Sequence, residues 1–334
     1  MTGVIFYNDK SIARFLSLRE GETKMGEKIN FVHDLENLQT SPAKYVLFGI
    51  AEDIGVRANM GVPGTSKAWD SFLKVFLNIQ ANQYTSTGNL LLLGEIDTKE
   101  LMSKALNIDA EDPNYYQKLG DLVQKLDSAV SEVVEKIISA GKIPIIIGGG
   151  HNNAFGNIKG ATKALKKPVN ILNIDAHSDL RKADYRHSGN GFSFAKKENL
   201  LGKYRIFGLH QNYTPEYIYE EIMASQNDHF RLFEHLTLKS SESIIKAFRE
   251  ELDFTSKEAF GLELDCDAIK DFPSSAKSPT GFPFNMVRNF VKIASEEENI
   301  KYLHICEAAP DETGNFNVGK ALSYLVTDFI ISDI

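Results

Sequence analysis

Short apolar runs recur along this chain at residues 45–51, 90–93, 143–147, 169–174, 205–209, 229–233, 259–264 and 302–306, separated by longer stretches with helical periodicity. Most of the runs are continuous rather than alternating, as in strands buried on both faces of a parallel sheet. The longest helical stretch, residues 114–140, places Leu119, Leu122, Val123, Leu126, Val130, Val133, Val134, Ile137 and Ile138 on one face and stops at Gly141. Further helix patterns fall at 66–79, after 153, at 214–224, 241–252 and 318–330. Strands alternating with helices predict an α/β chain. Residues 1–43 are polar and mixed and read as an N-terminal extension to a single domain at 44–334.

The strand ends carry the chemistry. The run at 169–174 passes into Asp175-Ala176-His177-Ser178-Asp179. In an extended chain residues i, i+2 and i+4 share a side, so Asp175, His177 and Asp179 are expected to converge. That convergence lies at the carboxyl end of a strand, where open α/β sheets place ligands. A capping loop is the bland alternative for this motif taken alone. Two carboxylates and an imidazole can also hold a divalent cation. The run at 143–147 leads through Gly148-Gly149-Gly150 to His151, the run ending at Leu264 leads to Asp265-Cys266-Asp267 with Glu263 in the same alternation, and the run at 302–306 leads to Glu307. The triple glycine fits neither a dinucleotide fingerprint nor a P-loop. Four acid- or imidazole-bearing strand ends are hard to explain by structure alone. Four aspartates and two histidines exceed one ion's needs and suit two hard-to-borderline cations sharing carboxylates.

Composition narrows the partners. Among 334 residues, 43% hydrophobic and 25% charged content is ordinary for a globular protein. A formal net charge of −8 argues against nucleic acid and anionic membranes. No apolar run approaches the roughly 18 residues of a membrane span, and Asn8, Asp9 and Lys10 interrupt any signal-like core. Cys266 and Cys306 are too few for a disulfide framework, which points to a reducing cytoplasm.

Gly-Gly-Gly-His, Asp-Ala-His-Ser-Asp and Leu-Asp-Cys-Asp resemble, in order and spacing, the three metal motifs of the arginase/agmatinase/formimidoylglutamase (ureohydrolase) family. Glu52-Asp53-x-Gly-Val-x-x-Asn-x-Gly resembles that family's N-terminal loop. The resemblance implies a three-layer α/β/α fold around an eight-stranded parallel sheet, two Mn²⁺ ions, and homo-oligomers, trimers or hexamers. It implies further that His151 and Asp179 serve one manganese, His177 and Asp267 the other, and that Asp175 and Asp265 bridge them. Asp179 would move the proton and Glu307 would orient the amidine.

Within the family, arginases and agmatinases carry His where this chain has Ser188, and arginases carry Asn where it has Arg181. Both differences resemble the formimidoylglutamase branch. A cationic agmatine tail would be repelled by Arg181, whereas an anionic amidine such as N-formimidoyl-L-glutamate would be attracted. Arg181, Ser188, Asn190 and Glu307 are therefore the expected substrate contacts, and His187 joins Asp179 and Glu307 as a catalytic candidate. Arginase, agmatinase or another guanidino-acid hydrolase would use the same metals. A catalytically silent binding subunit is the alternative from another class, and the filled metal positions speak against it.

Overall fold

The computed structural model describes residues 3–311 and 317–331. The ends of the two expected units, 1–2 and 332–334, and the segment 312–316 lie outside the described residues. The strands are β1 (Val4–Phe6), β2 (Asn30–Phe31), β3 (Tyr45–Gly49), β4 (Leu90–Ile96), β5 (Ile143–Ile147), β6 (Val169–Ile174), β7 (Leu201–Leu209), β8 (Asp228–Leu232), β9 (Phe260–Asp265) and β10 (Ile300–Cys306). They form one sheet in the order β1-β4-β3-β5-β10-β9-β6-β7-β8, with β2 also paired to β4. The eight strands from β3 to β10 are parallel, as expected, and only β1 runs antiparallel.

Two short strands from residues 4–43 join this sheet. β1 pairs with β4, and β2 lies parallel to β4 with Asn30 opposite Leu91. Strands of three and two residues are too short for a periodicity to mark them. Helices Ala68–Phe76, Ser241–Thr255, Phe284–Ser295 and Val318–Ile330 pack on one face, around Trp69, Phe248, Phe290 and Leu325. Helices Tyr115–Ser139, Asn153–Leu165, Gly191–Lys197 and Glu216–Ala224 pack on the other, around Leu126, Ile158, Phe192 and Ile218. That is the three-layer arrangement. Helix Phe284–Ser295 follows Pro283 and buries Met286, Val287, Phe290 and Val291 at helical spacing. The apolar spacing of this helix is present in the sequence, directly after the Pro- and Ser-rich segment 273–283.

The strand order explains why distant segments of chain meet. β5, β10, β9 and β6 are four consecutive neighbours at the centre of the sheet. At about 4.8 Å per step their carboxyl ends span only about 15 Å. These are the strands that deliver His151, Glu307, Asp265 and Asp175.

Candidate metal centre at the strand ends

Each ligand-bearing turn is held by polar groups of its own. After β5 the chain turns through Gly148 and Gly149 with φ of 92° and 73°. A Cβ on Gly149 would sit 2.3 Å from Asn153 Nδ2 and 2.8 Å from Glu52 Oε1, so only glycine fits. Glu52, wholly buried, organises this turn. Its Oε1 accepts from Gly150 N (2.9 Å), Asn152 Nδ2 (3.2 Å) and Asn153 Nδ2 (2.7 Å), and its Oε2 from Ile54 N (2.7 Å) and Gly55 N (3.3 Å). The result fixes His151.

Asp175 follows β6. Its Oδ1 accepts from His177 N (2.6 Å) and its Oδ2 from Asn173 Nδ2 (2.9 Å). Asp175, His177 and Asp179 do converge, though by another route than a continued extended strand. The chain turns after Ile174, and Asp179 adopts a left-handed φ of 48°. Aspartate tolerates that region better than most residues, at a cost of order 1 kcal/mol. Glu307, at φ 60°, does the same after β10. Asp265 ends β9 and accepts from Asp267 N (2.8 Å), which curls Asp267 back toward it.

The side chains form two donor groups, His151/Asp175/Asp179/Asp265 and Asp175/His177/Asp267, which share Asp175. His151 Nδ1 lies 3.2 Å from Asp175 Oδ2, 2.9 Å from Asp179 Oδ2 and 3.3 Å from Asp265 Oδ2, and no contact has hydrogen-bond geometry. His177 Nδ1 lies 2.8 Å from Asp267 Oδ2 and 3.7 Å from Asp175 Oδ1. A buried imidazole nitrogen without a partner, ringed by three carboxylate oxygens, fits a divalent cation that all four would ligate. Burial, with Asp179 beside it, pushes Asp175 up to about 6. Burial, with Asp267 and Asp175 beside it, pushes Asp265 well above the usual carboxylate range, and burial raises Glu307 to about 7. Carboxylates so crowded resist ionising together without a cation between them.

A cavity of about 180 Å³ opens over this cluster. His177, Asp179, Asp265, Asp267 and Glu307 reach its floor. Glu307 is fixed there by His151 N (2.7 Å to Oε1) and by the Ser275 hydroxyl. Arg181 and Ser188 stand on its wall, where Ser188 Oγ accepts from Asn59 Nδ2 (3.1 Å). The Arg181 side chain is exposed and makes no ion pair or hydrogen bond among the described residues. Asp184, a neighbouring acid three residues on, instead accepts from Tyr185 N (2.8 Å).

Two expected site residues are placed differently. Asn190 is buried away from the cavity wall, with its Oδ1 accepting from Arg186 Nη1 (2.7 Å) and His187 N (3.1 Å) and its Nδ2 donating to Lys182 O and Tyr185 O. Its amide is fully engaged in shaping the loop and has no group left for substrate. His187 is buried in the same loop, where its Nδ1 accepts from Gly189 N (3.1 Å). It borders a neighbouring depression with Tyr185 and Tyr217 rather than the cavity over the acids. Asn59, Tyr213 and Ser275 line that cavity as well, none of them named beforehand as a substrate contact. Asn59 had a signal, being the Asn of the Glu52–Gly61 loop motif. Tyr213, whose ring lies 5.5 Å from His177, comes from a segment with no pattern to mark it.

The Arginase family matches residues 43–328. Formimidoylglutamase of Macrococcus caseolyticus is 25% identical over 301 residues, covering 88% of this chain and 87% of that protein. Formimidoylglutamase of Citrobacter koseri is 24% identical over 315 residues, covering 90% and 92%. The crystal structure of formimidoylglutamase from Bacillus subtilis superposes with a TM-score of 0.73 at 17% identity, over 97% of this chain and 98% of that one. Trypanosoma cruzi formiminoglutamase with Mn²⁺₂ gives 0.71 at 17%, over 93% and 98%. Among the described residues no helix is long and apolar enough to cross a membrane.

Proposed function

Because the chain belongs to the arginase family, whose members hydrolyse amidino and guanidino groups, we propose that it hydrolyses N-formimidoyl-L-glutamate to glutamate and formamide. The observation that carries this choice of substrate is the unpaired Arg181 guanidinium on the wall of the cavity over the acids. A fork of fixed donors suits a carboxylate and repels a cationic tail. The formimidoylglutamases that match nearly the whole chain support the same reading.

His151, Asp175, Asp179 and Asp265 would hold one manganese, and His177 and Asp267 the other, with Asp175 and Asp265 shared. Bound there, two such ions supply Lewis acidity and bring the pKa of water near neutrality. The chain does the rest. Glu307, held by His151 N and Ser275, hydrogen-bonds the cationic amidinium and presents its carbon to the attacking water. Asp179, at the cavity floor, takes a water proton and hands it to the leaving amine as the carbon–nitrogen bond breaks. Arg181 holds the glutamate end outside the acid cluster. Buried free thiols at Cys266 and Cys306 fit a reducing compartment such as the cytoplasm. Assembly into trimers or hexamers belongs to the same proposal, and light scattering on the eluting protein tests it.

A substrate panel with Mn²⁺ is the test: formamide released from N-formimidoylglutamate is the expected product. Urea released from arginine, agmatine or another guanidino acid at a higher kcat/KM overturns the substrate choice. No hydrolysis across the panel, by protein with its ions bound, favours a silent binding subunit.

A further inference from the structure

Behind His151, away from the carboxylates, lies a second acid that the ligand set does not use. Glu263 precedes Asp265 by two residues on β9 and is wholly buried. Its Oε1 accepts from the Tyr302 hydroxyl (2.8 Å), and its Oε2 lies 2.5 Å from His304 Nδ1. The other nitrogen of His304 is 3.4 Å from Gly148 O, so the network reaches back to the glycine turn that carries His151. Gly261 makes room for it. A Cβ there would meet the Tyr302 ring at 2.2 Å and its hydroxyl oxygen at 2.6 Å. Tyr302, His304 and Glu263 are all fully buried, and a buried carboxylate needs such partners. Facing them is His151 Nε2, 3.5 Å from Glu263 Oε2 and otherwise without a hydrogen-bond partner.

An imidazole that ligates through Nδ1 must keep its proton on Nε2. An acceptor behind Nε2 fixes that tautomer, orients the ring and strengthens the donor nitrogen. We infer that Glu263 is a positioning residue for His151: its carboxylate, fixed by Tyr302 and His304, accepts from Nε2–H and aims the Nδ1 lone pair into the carboxylate cluster. The role rests on the binuclear reading above and gives a place to the acid that shares the alternation of Asp265 without joining the ligand set. It also accounts for two neighbours on β10 that touch no substrate.

The test is Mn²⁺ binding by calorimetry and electron paramagnetic resonance on the full chain, for wild type, Glu263→Gln and Tyr302→Phe. Glu263→Gln is expected to weaken one of two ions by about 10- to 100-fold, the range for supports behind a metal ligand. The other ion should change less than about threefold, and the thermal midpoint of metal-free protein by no more than a few degrees. Tyr302→Phe, which keeps the ring and removes one donor, should shift the same ion in the same direction by less, and carries the test if Glu263→Gln does not fold. Added to His151→Ala, Glu263→Gln should cause no further loss, because it acts through that ring. Equal weakening of both ions, no weakening, or further loss in the double variant overturns the role. So does a third bound ion, since His151, His304 and Cys306 also offer donors within 4.8 Å of one another. None of these measurements involves substrate, so a wrong substrate choice leaves them standing. Wild type that binds fewer than two ions overturns the binuclear reading itself, before any variant is made.

Discussion

Arg186 and Asp265 are both buried side chains with a formal charge, and their surroundings differ in kind. Arg186 meets Asp127 through two contacts, Nε to Oδ2 at 2.9 Å and Nη2 to Oδ1 at 3.1 Å. It also donates to Asn152 O (2.8 Å) and Asn190 Oδ1 (2.7 Å), and lies between Phe155 and Phe194, each 4.9 Å away. Every donor direction has an acceptor, and the one charge has one countercharge. Asp265 sits instead among Asp175, Asp179, Asp267 and Glu307, with the His151 imidazole for company. The first cluster is closed by the chain itself and ties the Asn152 turn to the 186–190 loop. The second is left with excess acid facing a cavity. One buried charge is balanced internally and makes a rigid joint, and the other is a donor set suited to a cation supplied from outside.

The sharpest test of that contrast removes one residue from each cluster. Asp265→Ala takes away a shared donor, and kcat/KM should fall by more than about a thousandfold, since metal chemistry supplies several kcal/mol of transition-state stabilisation. The same variant, stripped of metal, should unfold at the same urea concentration as metal-free wild type or higher, because a like charge has gone. Loss of stability in the metal-free state would show that the acid cluster holds the fold as well. Arg186→Leu should do the reverse. It leaves Asp127 buried with no partner, which costs about 3–5 kcal/mol in denaturant unfolding. Any loss of activity should track the folded fraction. A shift under about 1 kcal/mol would mean that Asp127 simply takes up a proton, as burial already pushes its carboxyl up despite Arg186.

The eight parallel strands were legible because strands buried on both faces are written as continuous apolar runs. The six clustered donors were legible because each lies in the short turn that follows one of those runs. What the sequence could not show is direction. Arg181, Arg186, His187 and Asn190 lie within ten residues and look like one basic, polar loop, yet only Arg181 faces the cavity. The sorting is done by contacts with Asp127 and Asn152, which are distant in sequence. Glu263 was unreadable for the same reason, because its partners Tyr302 and His304 come from the neighbouring strand. The β1 and β2 strands carry no periodicity at all and exist because β4 offers an edge to pair with.

Arg181 sharpens the contrast from the substrate's side, as the loop's one guanidinium without a countercharge of its own. Arg181→Ala should lower kcat/KM on N-formimidoylglutamate by about 10- to 200-fold, the equivalent of a charge-assisted hydrogen bond of roughly 1.5–3 kcal/mol. Both ions should remain bound. An uncharged formamidine should be hydrolysed at nearly the wild-type kcat/KM. An equal fall on both substrates would remove the clamp and the main reason for preferring an anionic substrate.

His187 gives the smallest effect and asks whether its loop is a structural device or part of the reaction. Burial holds its imidazole down to about 4, below the ordinary value of 6.5. The unfolded chain therefore takes up this proton first as pH falls. Stability from this residue is intact above about pH 6.5 and is lost progressively between 6.5 and 4. At pH 5.5 the loss amounts to about 1 kcal/mol. His187→Asn keeps an acceptor for Gly189 N and removes the titration. In metal-free protein, where ligand protonation cannot release ions, the drop in unfolding free energy from pH 7.5 to 5.5 should be about 1 kcal/mol smaller than in wild type. Its kcat at pH 7.5 with Mn²⁺ should stay within a few-fold of wild type. An unchanged drop would mean that the ring is not held neutral by burial, and a fall in kcat of a hundredfold or more would return His187 to the reaction.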